Sequence, residues 1–121
     1  MNYSPLTLRY FESPPAAGVL TPDGSTLRGS AGDRSRGTWV QFDLHAAQGV
    51  IRAARFLALG CPHTIAVAAW VAEHAPGCPL GPALPEAVSR LSERFEVPIE
   101  KRGRLLIIED AWRAAVRCAS H

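Results

Sequence analysis

Cysteine is scarce and odd in number in this chain of 121 residues: Cys61, Cys78 and Cys118 are all there are. Three thiols cannot pair off into a disulfide framework, which points to a reducing compartment. Met1 to Tyr10 shows no basic start followed by an apolar run, so no secretory leader is read there and the expected location is cytoplasmic. Neither sign of charge dominates. Lys and Arg number 13 against 11 Asp and Glu, a formal net charge of +2, which by itself speaks neither for nor against nucleic acid. Arg28, Arg34 and Arg36 cluster among Gly and Ser and read as a solvated loop, so no nucleic-acid partner is expected. A long uninterrupted apolar run is also missing. The stretch from Phe56 to Ala75 is broken by Gly60, Pro62, His63 and Glu73, which makes it a buried core segment and not a membrane span. The sequence has no Gly-rich phosphate loop, no paired-histidine metal helix and no G-x-S-x-G elbow. No enzymatic activity is expected.

What is present suffices for one small domain, residues 1–121, with 47% hydrophobic residues to form a core. Ser4-Pro5 reads as a helix N-cap with a first-turn proline, and the helix runs to about Glu12 before Pro14-Pro15 stops it. Ala16 to Arg36 reads as a long loop with one short strand near Ser25 to Ser30. Thr38 to Leu44 alternates, with Val40, Phe42 and Leu44 on one face and Trp39, Gln41 and Asp43 on the other, the pattern of a half-buried strand. A connection containing Gly49 leads to a second strand, Val50 to Leu59. On this strand the two faces are less cleanly separated.

Three helices are then predicted: His63 to Ala75, apolar nearly all round and therefore central; Pro85 to Phe95; and a last one, Glu109 to Ala119, beginning near Leu106. In the last helix Ile108, Ala111, Trp112, Ala115 and Val116 form an apolar stripe, and Glu109 and Arg113 an i, i+4 pair. Lys101 to Arg104 reads as an exposed basic stretch. The expected fold class is α+β, a small antiparallel sheet of two or three strands with helices packed on it.

The stretch Leu59-Gly60-Cys61-Pro62-His63-Thr64-Ile65-Ala66 joins the second strand to the central helix. Gly60 permits a sharp turn and Pro62 suits a first helical turn. A thiol at a helix start meets unpaired N–H groups and the positive end of the helix dipole, and both favour thiolate. Three readings of Cys61 stay open from the residues alone: a persulfide acceptor, a metal ligand, or a tightly packed small side chain. His63 reads as a polar residue of the cap region, His45 and His74 as surface residues, and Trp70 and Trp112 as core. The tail Cys118-Ala119-Ser120-His121 could bind stray metal.

Gly49-Val50-Ile51-Arg52-Ala53-Ala54-Arg55-Phe56, followed by Gly60-Cys61 and Ile65-Ala66, resembles the U-type iron–sulfur cluster assembly scaffolds, the IscU/NifU N-terminal-like family. Arg9-Tyr10-Phe11-Glu12-Ser13-Pro14, Gly18-Val19-Leu20 and Glu109-Asp110-Ala111 with Ala114-Ala115 echo further family segments in the same order. The resemblance implies the SufE/NifU fold, a three-stranded antiparallel sheet with packed helices. It also implies a role in [2Fe–2S] assembly through three cysteines with an aspartate and a histidine nearby, and partners that include a cysteine desulfurase and a chaperone pair.

The sequence departs from that pattern where the ligands belong. The first cysteine's motif corresponds to Ser30-Ala31-Gly32-Asp33, with alanine at the cysteine; ungapped counting from Gly49 instead reaches Ser35 or Arg36. The second cysteine corresponds to Cys61. The histidine and third cysteine fall on Gly103 and Arg104. The chaperone-recognition segment corresponds to Val97-Pro98-Ile99-Glu100-Lys101, with one proline and the lysine retained. As metal ligands the resemblance leaves Cys61 and Asp33. Cluster iron and tetrahedral zinc each want about four donors, so no cofactor is expected, and [2Fe–2S] or zinc only where another chain supplies ligands, as in a homodimer sharing two Cys61 thiolates. Arg104 is expected to pair with Asp33 and close the site. The functional expectation is a divergent, accessory scaffold-like protein, unable to hold a cluster alone, with Cys61 as candidate sulfur acceptor and a cysteine desulfurase or another assembly protein as partner. The alternative is a metal-independent protein-interaction module that keeps only the fold.

Overall fold

A computed structural model describes residues 3–21 and 24–120. Met1 and Asn2 of the leader reading, Pro22 and Asp23 of the predicted loop, and His121 of the tail tetrad lie outside the described residues. The first helix, α1 (Pro5–Glu12), is capped as the sequence suggests: the Ser4 hydroxyl accepts the Thr7 N–H at 3.1 Å, with proline in the first turn. Three strands follow, β1 (Leu27–Asp33), β2 (Thr38–Ala47) and β3 (Val50–Leu59), in an antiparallel sheet of order β1-β2-β3. The strand expected near Ser25 to Ser30 is therefore longer and shifted towards Asp33, and β2 continues past Leu44. Gln48 and Gly49 form the two-residue turn between β2 and β3, both with positive φ (55° and 75°), the twist-matching geometry of tight hairpins.

Three helices complete the chain: α2 (Pro62–His74), α3 (Val88–Arg94) and α4 (Leu106–Arg117). Predicted Pro85–Phe95 shortens to α3 because Pro85 and Glu86 lie in a bend before it. Lys101 to Arg104, read as an exposed stretch, belongs to a 3₁₀ helix, Ile99–Leu105, that leads into α4. Among the described residues no helix is long and apolar enough to cross a membrane.

The core lies between one sheet face and the helices. Val40, Phe42 and Leu44 of β2 are fully buried. α4 covers β1 and β2, α2 covers β3, and α1 packs on the far side of α2. That sandwiching explains why α2 is apolar all round. Trp112 is fully buried, its ring edge-on to Phe42 at 5.7 Å and its indole N–H donated to the Gly81 carbonyl at 2.9 Å. Trp70 is 7% exposed.

The blurred faces of β3 have a structural cause. His45 pairs with Ala53 but Ala46 with Ile51, so Arg52 is an extra residue in a bulge. The bulge switches the alternation, and Ile51, Ala54 and Phe56 all face the core. α4 meets β1 closely at Gly29, where a Cβ would stand 2.0 Å from the Ala115 nitrogen.

The other sheet face is partly covered by the segment before β1. Gly18 N–H donates to the Phe56 carbonyl at 2.8 Å, and Phe56 N–H to Ala16 at 3.0 Å. Asp43 lies beneath this segment, 1% exposed. Its carboxylate accepts the Leu20 N–H at 3.0 Å and two bonds from Arg28, at 2.7 and 2.8 Å. Arg28 is thus a strand residue held in an ion pair, not a solvated loop residue. Asp43 is directly opposite it in the β1–β2 register, which sequence alternation alone does not reveal. Burial pushes the Asp43 carboxyl up, but Arg28 and the Leu20 N–H outweigh it and hold it below the usual carboxylate range.

Candidate functional site

The site lies where β3 becomes α2. Gly60 has φ 154°, and a Cβ there would press on the Thr64 side chain at 3.1 Å, so a small residue is required for the turn. Cys61 is the N-cap of α2 and Pro62 its first residue. The Cys61 carbonyl accepts the Ile65 N–H at 3.2 Å, which starts the helix and fixes the thiol at its N-terminal end. The side chain is half-buried, so the sulfur is neither sealed in the core nor free in water. The sulfur lies 3.6 Å from the Thr64 hydroxyl, within hydrogen-bond reach.

Opposing effects set the state of this thiol. Burial pushes its pKa up. The Thr64 N–H, the Thr64 hydroxyl, the His63 N–H and the Arg104 guanidinium favour the thiolate, and together they outweigh burial, holding the thiol below its ordinary value. Arg104 is the weakest of these influences. It is exposed, at the junction of the 3₁₀ helix and α4, and among the described residues no carboxylate pairs with it.

Asp33 ends β1. In register Gly32 faces Trp39, and Trp39 faces Leu59. Asp33 therefore ends β1 at the end of the sheet where β3 ends at Leu59, two residues before Cys61. The Asp33 carboxylate turns back on its own chain. It accepts the Ser35 N–H at 2.9 Å and the Ser35 hydroxyl at 2.6 Å, and pairs loosely with Arg36 at 3.7 Å. These Ser35 bonds, side-chain first, hold its pKa down. The expected Asp33–Arg104 pair does not form: each group has found its neighbours locally, Asp33 by capping the turn Arg34–Arg36 and Arg104 by facing Cys61.

His63 corrects a second expectation. It does lie in the first turn of α2, but as a buried residue, 2% exposed and edge-on to Tyr3 at 4.8 Å. Its Nδ1 has no hydrogen-bond partner among the described residues. Burial first, and the charge of Lys101 second, lower its pKa, so the ring is neutral near pH 7. The cue in the sequence was weak: a histidine between proline and an apolar helix reads equally well as exposed. Of the other two histidines, His74 is exposed and bonded to the Trp70 carbonyl at 2.9 Å. His45 is half-buried, its Nε2 2.9 Å from the Thr26 hydroxyl.

The donor set of one chain does not match a cluster or a zinc ion. Four-coordinate sites need about four thiolate, imidazole or carboxylate donors. Among the described residues no three of His, Cys, Asp and Glu come together as a metal-binding group. Cys78 and Cys118 spend their thiols on carbonyls, those of His74 and Arg28, at 3.3 and 3.2 Å. What the geometry does provide is a single thiol with positive charge around it. Such a group can attack an electrophilic sulfur and hold the anion that results.

Comparisons with known proteins bear on the family and the fold. The family model described as the NifU-like N-terminal domain matches residues 2–118. A similar solved structure is that of a protein assigned as an iron–sulfur cluster assembly scaffold for the SUF system from the thermophile Fervidobacterium islandicum AW-1. It is 13% identical, with a TM-score of 0.73 over 94% of this chain and 96% of that one. Another is the N-terminal part of a nitrogen-fixing NifU-like protein from Brucella abortus, 16% identical, with a TM-score of 0.71 over 94% and 91%. At these identities the structures speak for the fold, which is the expected three-stranded antiparallel sheet with packed helices. A comparison with curated proteins finds no match. The family match covers nearly the whole length, and the chain belongs to the NifU-like N-terminal domain family of iron–sulfur cluster assembly.

Proposed function

We propose that this protein is an accessory member of iron–sulfur cluster assembly that accepts sulfur on Cys61 and does not hold a cluster by itself. The observation that carries the reading is the half-buried Cys61 thiol at the start of α2, with its pKa lowered and Arg104 facing it. The donor would be the persulfide of a cysteine desulfurase. The Cys61 thiolate attacks the outer sulfur of the donor's R–S–SH. A sulfur–sulfur bond forms at Cys61, the donor's own sulfur–sulfur bond breaks, and the donor leaves as R–S⁻. One sulfane sulfur moves, the charge is conserved and no oxidant is consumed. On this reading the protein is a carrier loaded once per encounter, not an enzyme, and iron or cluster is cargo whose ligands come from another chain.

The test is anaerobic incubation with a cysteine desulfurase and cysteine, followed by intact-mass measurement. One added sulfur atom is expected on the wild type and none on Cys61→Ser, with Cys78→Ser and Cys118→Ser loading normally. Iron and sulfide reconstitution of the isolated chain is expected to give no stable cluster chromophore. Absence of both sulfur loading and desulfurase binding would overturn the reading in favour of a metal-independent interaction module.

A further inference from the structure

A surface cavity of about 170 Å³ opens where the C-terminal ends of α1 and α2 meet, lined by Arg9, Tyr10, Ser13, Pro15 and Glu73. Cys61 caps the opposite end of α2. Tyr10 is the buried member of the lining, 7% exposed, its ring edge-on to Phe95 at 5.7 Å. Its hydroxyl donates to Glu73 Oε1 at 2.8 Å, and His74 Nδ1 approaches the same oxygen at 3.6 Å. Oε2 of Glu73 therefore has no partner among the described residues. Burial and the Glu73 carboxylate raise the Tyr10 pKa, so the phenol keeps its proton and goes on donating. Glu73 also stands in the last turn of α2, where its charge adds to the negative end of the helix dipole. That placement is unfavourable for the helix alone and favourable for a bound cation. Arg9 supplies the opposite sign. Its guanidinium carbon lies 5.7 Å from the centre of the Tyr10 ring, and among the described residues no carboxylate pairs with it. One cavity thus presents a cation and an anion that do not neutralise each other.

We propose that this cavity binds a small free α-amino acid as its zwitterion, with the ammonium on Glu73 and the carboxylate on Arg9. The site is independent of any role of Cys61. Its size selects the ligand class: 170 Å³ is the space of about six water molecules at roughly 30 Å³ each, the scale of alanine or serine. Cavities for nucleotides and larger cofactors start near about 300 Å³. Charge narrows the choice further. A simple anion such as acetate or phosphate would meet Glu73, and a metal ion or polyamine would meet Arg9; a ligand carrying both charges meets a counter-charge at each end. The guanidinium fork matches a carboxylate, and the Tyr10 hydroxyl fixes one oxygen of Glu73 while leaving the other for an ammonium.

The experiment follows backbone amide NMR shifts of the full chain during titration with L-alanine and L-serine. Saturable shifts at Arg9, Ser13 and Glu73 are expected, with affinities in the millimolar range. N-acetyl-L-alanine lacks the ammonium and L-alaninamide lacks the carboxylate, so each should bind at least about fivefold more weakly than L-alanine. L-Tryptophan should give no saturable shift at these residues because it exceeds the cavity. Glu73→Gln keeps an acceptor for the Tyr10 hydroxyl but removes the charge. It should weaken L-alanine about fivefold and erase the preference over N-acetyl-L-alanine. Arg9→Gln should erase the preference over L-alaninamide, and Arg9→Lys should restore most of it. Both positions are exposed, so the variants are expected to fold, which their amide spectra verify. Absence of saturable shifts up to about 50 mM amino acid overturns the proposal. So does binding of L-alaninamide or N-acetyl-L-alanine as tightly as L-alanine, or binding of L-alanine that neither Glu73→Gln nor Arg9→Gln weakens. Sulfur loading of Cys61 should be unchanged in both variants, so the acceptor reading stands or falls separately.

Discussion

Gly29 marks a backbone-to-backbone approach of β1 and α4, and replacing it with alanine tests that packing. β1 and α4 approach so closely there that an added Cβ would stand 2.0 Å from the Ala115 nitrogen, 2.4 Å from the Ala114 carbonyl carbon and 2.6 Å from the Ala115 Cα. Ordinary carbon contacts begin near 3.4 Å, so α4 has to retreat by about 1.4 Å. These are backbone atoms, and no rotamer change relieves them. Ile108, Ala111, Trp112 and Ala115 line the buried face of α4, so a retreat opens the core along the helix. Overpacking of a tight core costs about 1–3 kcal/mol, and a backbone collision belongs at the upper end. For a domain of this size about 3 kcal/mol lowers the melting temperature by roughly 10 °C or more.

The assay is thermal and urea unfolding of Gly29→Ala beside Ser30→Ala, whose position is exposed on the opposite face and should change stability by less than about 0.5 kcal/mol. The double variant Gly29→Ala, Ala115→Gly sharpens the test: removing the Ala115 methyl does not touch the colliding atoms, so no rescue is expected. Stability of Gly29→Ala within about 0.5 kcal/mol of wild type would refute the reasoning.

Two buried ionisable groups give further predictions, both checked by unfolding across pH. Asp43→Asn keeps the shape but removes the charge held by Arg28 and Leu20, at an expected cost of about 2 kcal/mol at pH 7, moderated because Arg28 is 42% exposed and returns easily to water. Since the folded Asp43 pKa is depressed, its contribution is present above the ordinary carboxylate range and is lost as pH falls through the folded value. The variant should therefore show a smaller loss of stability on acidification below about pH 4. His63→Phe replaces a buried ring whose Nδ1 is unpartnered, so it should be near-neutral or stabilising at pH 8. With the folded pKa lowered, the unfolded chain binds the proton first, and the wild type loses stability as pH falls below about 6.5. His63→Phe lacks that loss, and an unchanged acid limb between pH 7 and 5 would show that His63 is not held neutral.

Much of the fold is legible in the sequence because periodicity and punctuation agree. Ser4-Pro5 and Pro14-Pro15 bracket α1, and the alternation of Val40, Phe42 and Leu44 marks the core face of β2. The stripe from Ile108 to Ala115 marks the buried face of α4. The misses share a cause: they depend on partners distant in sequence. The Arg52 bulge is visible only from the register with β2, and Arg28 looks like a loop residue until Asp43 is opposite it. β1 itself is built from Gly, Ser and Ala, with little side-chain signal, and exists because α4 packs flat against Gly29. At the site the sequence reading pairs Arg104 with Asp33, and the structure does not form that pair. A one-dimensional reading favours opposite charges, whereas the Asp33 carboxylate is satisfied first by the nearest N–H and hydroxyl, two residues on.

The core does not pass through the site, and this explains how the family fold can persist with altered ligand positions. Asp33, Gly103 and Arg104 are exposed, and Ala31 and Cys61 only half-buried. The largest buried side chains, among them Trp112, Phe42, Phe95 and Leu44, belong to the sheet face and the helices behind it. Exchanging a surface donor for alanine or arginine therefore removes little buried area and leaves few packing contacts unmade. The consequence falls almost entirely on what the site can hold. On the proposed reading, Cys61 accepts sulfur at the start of α2, where no group of three metal-binding side chains stands among the described residues.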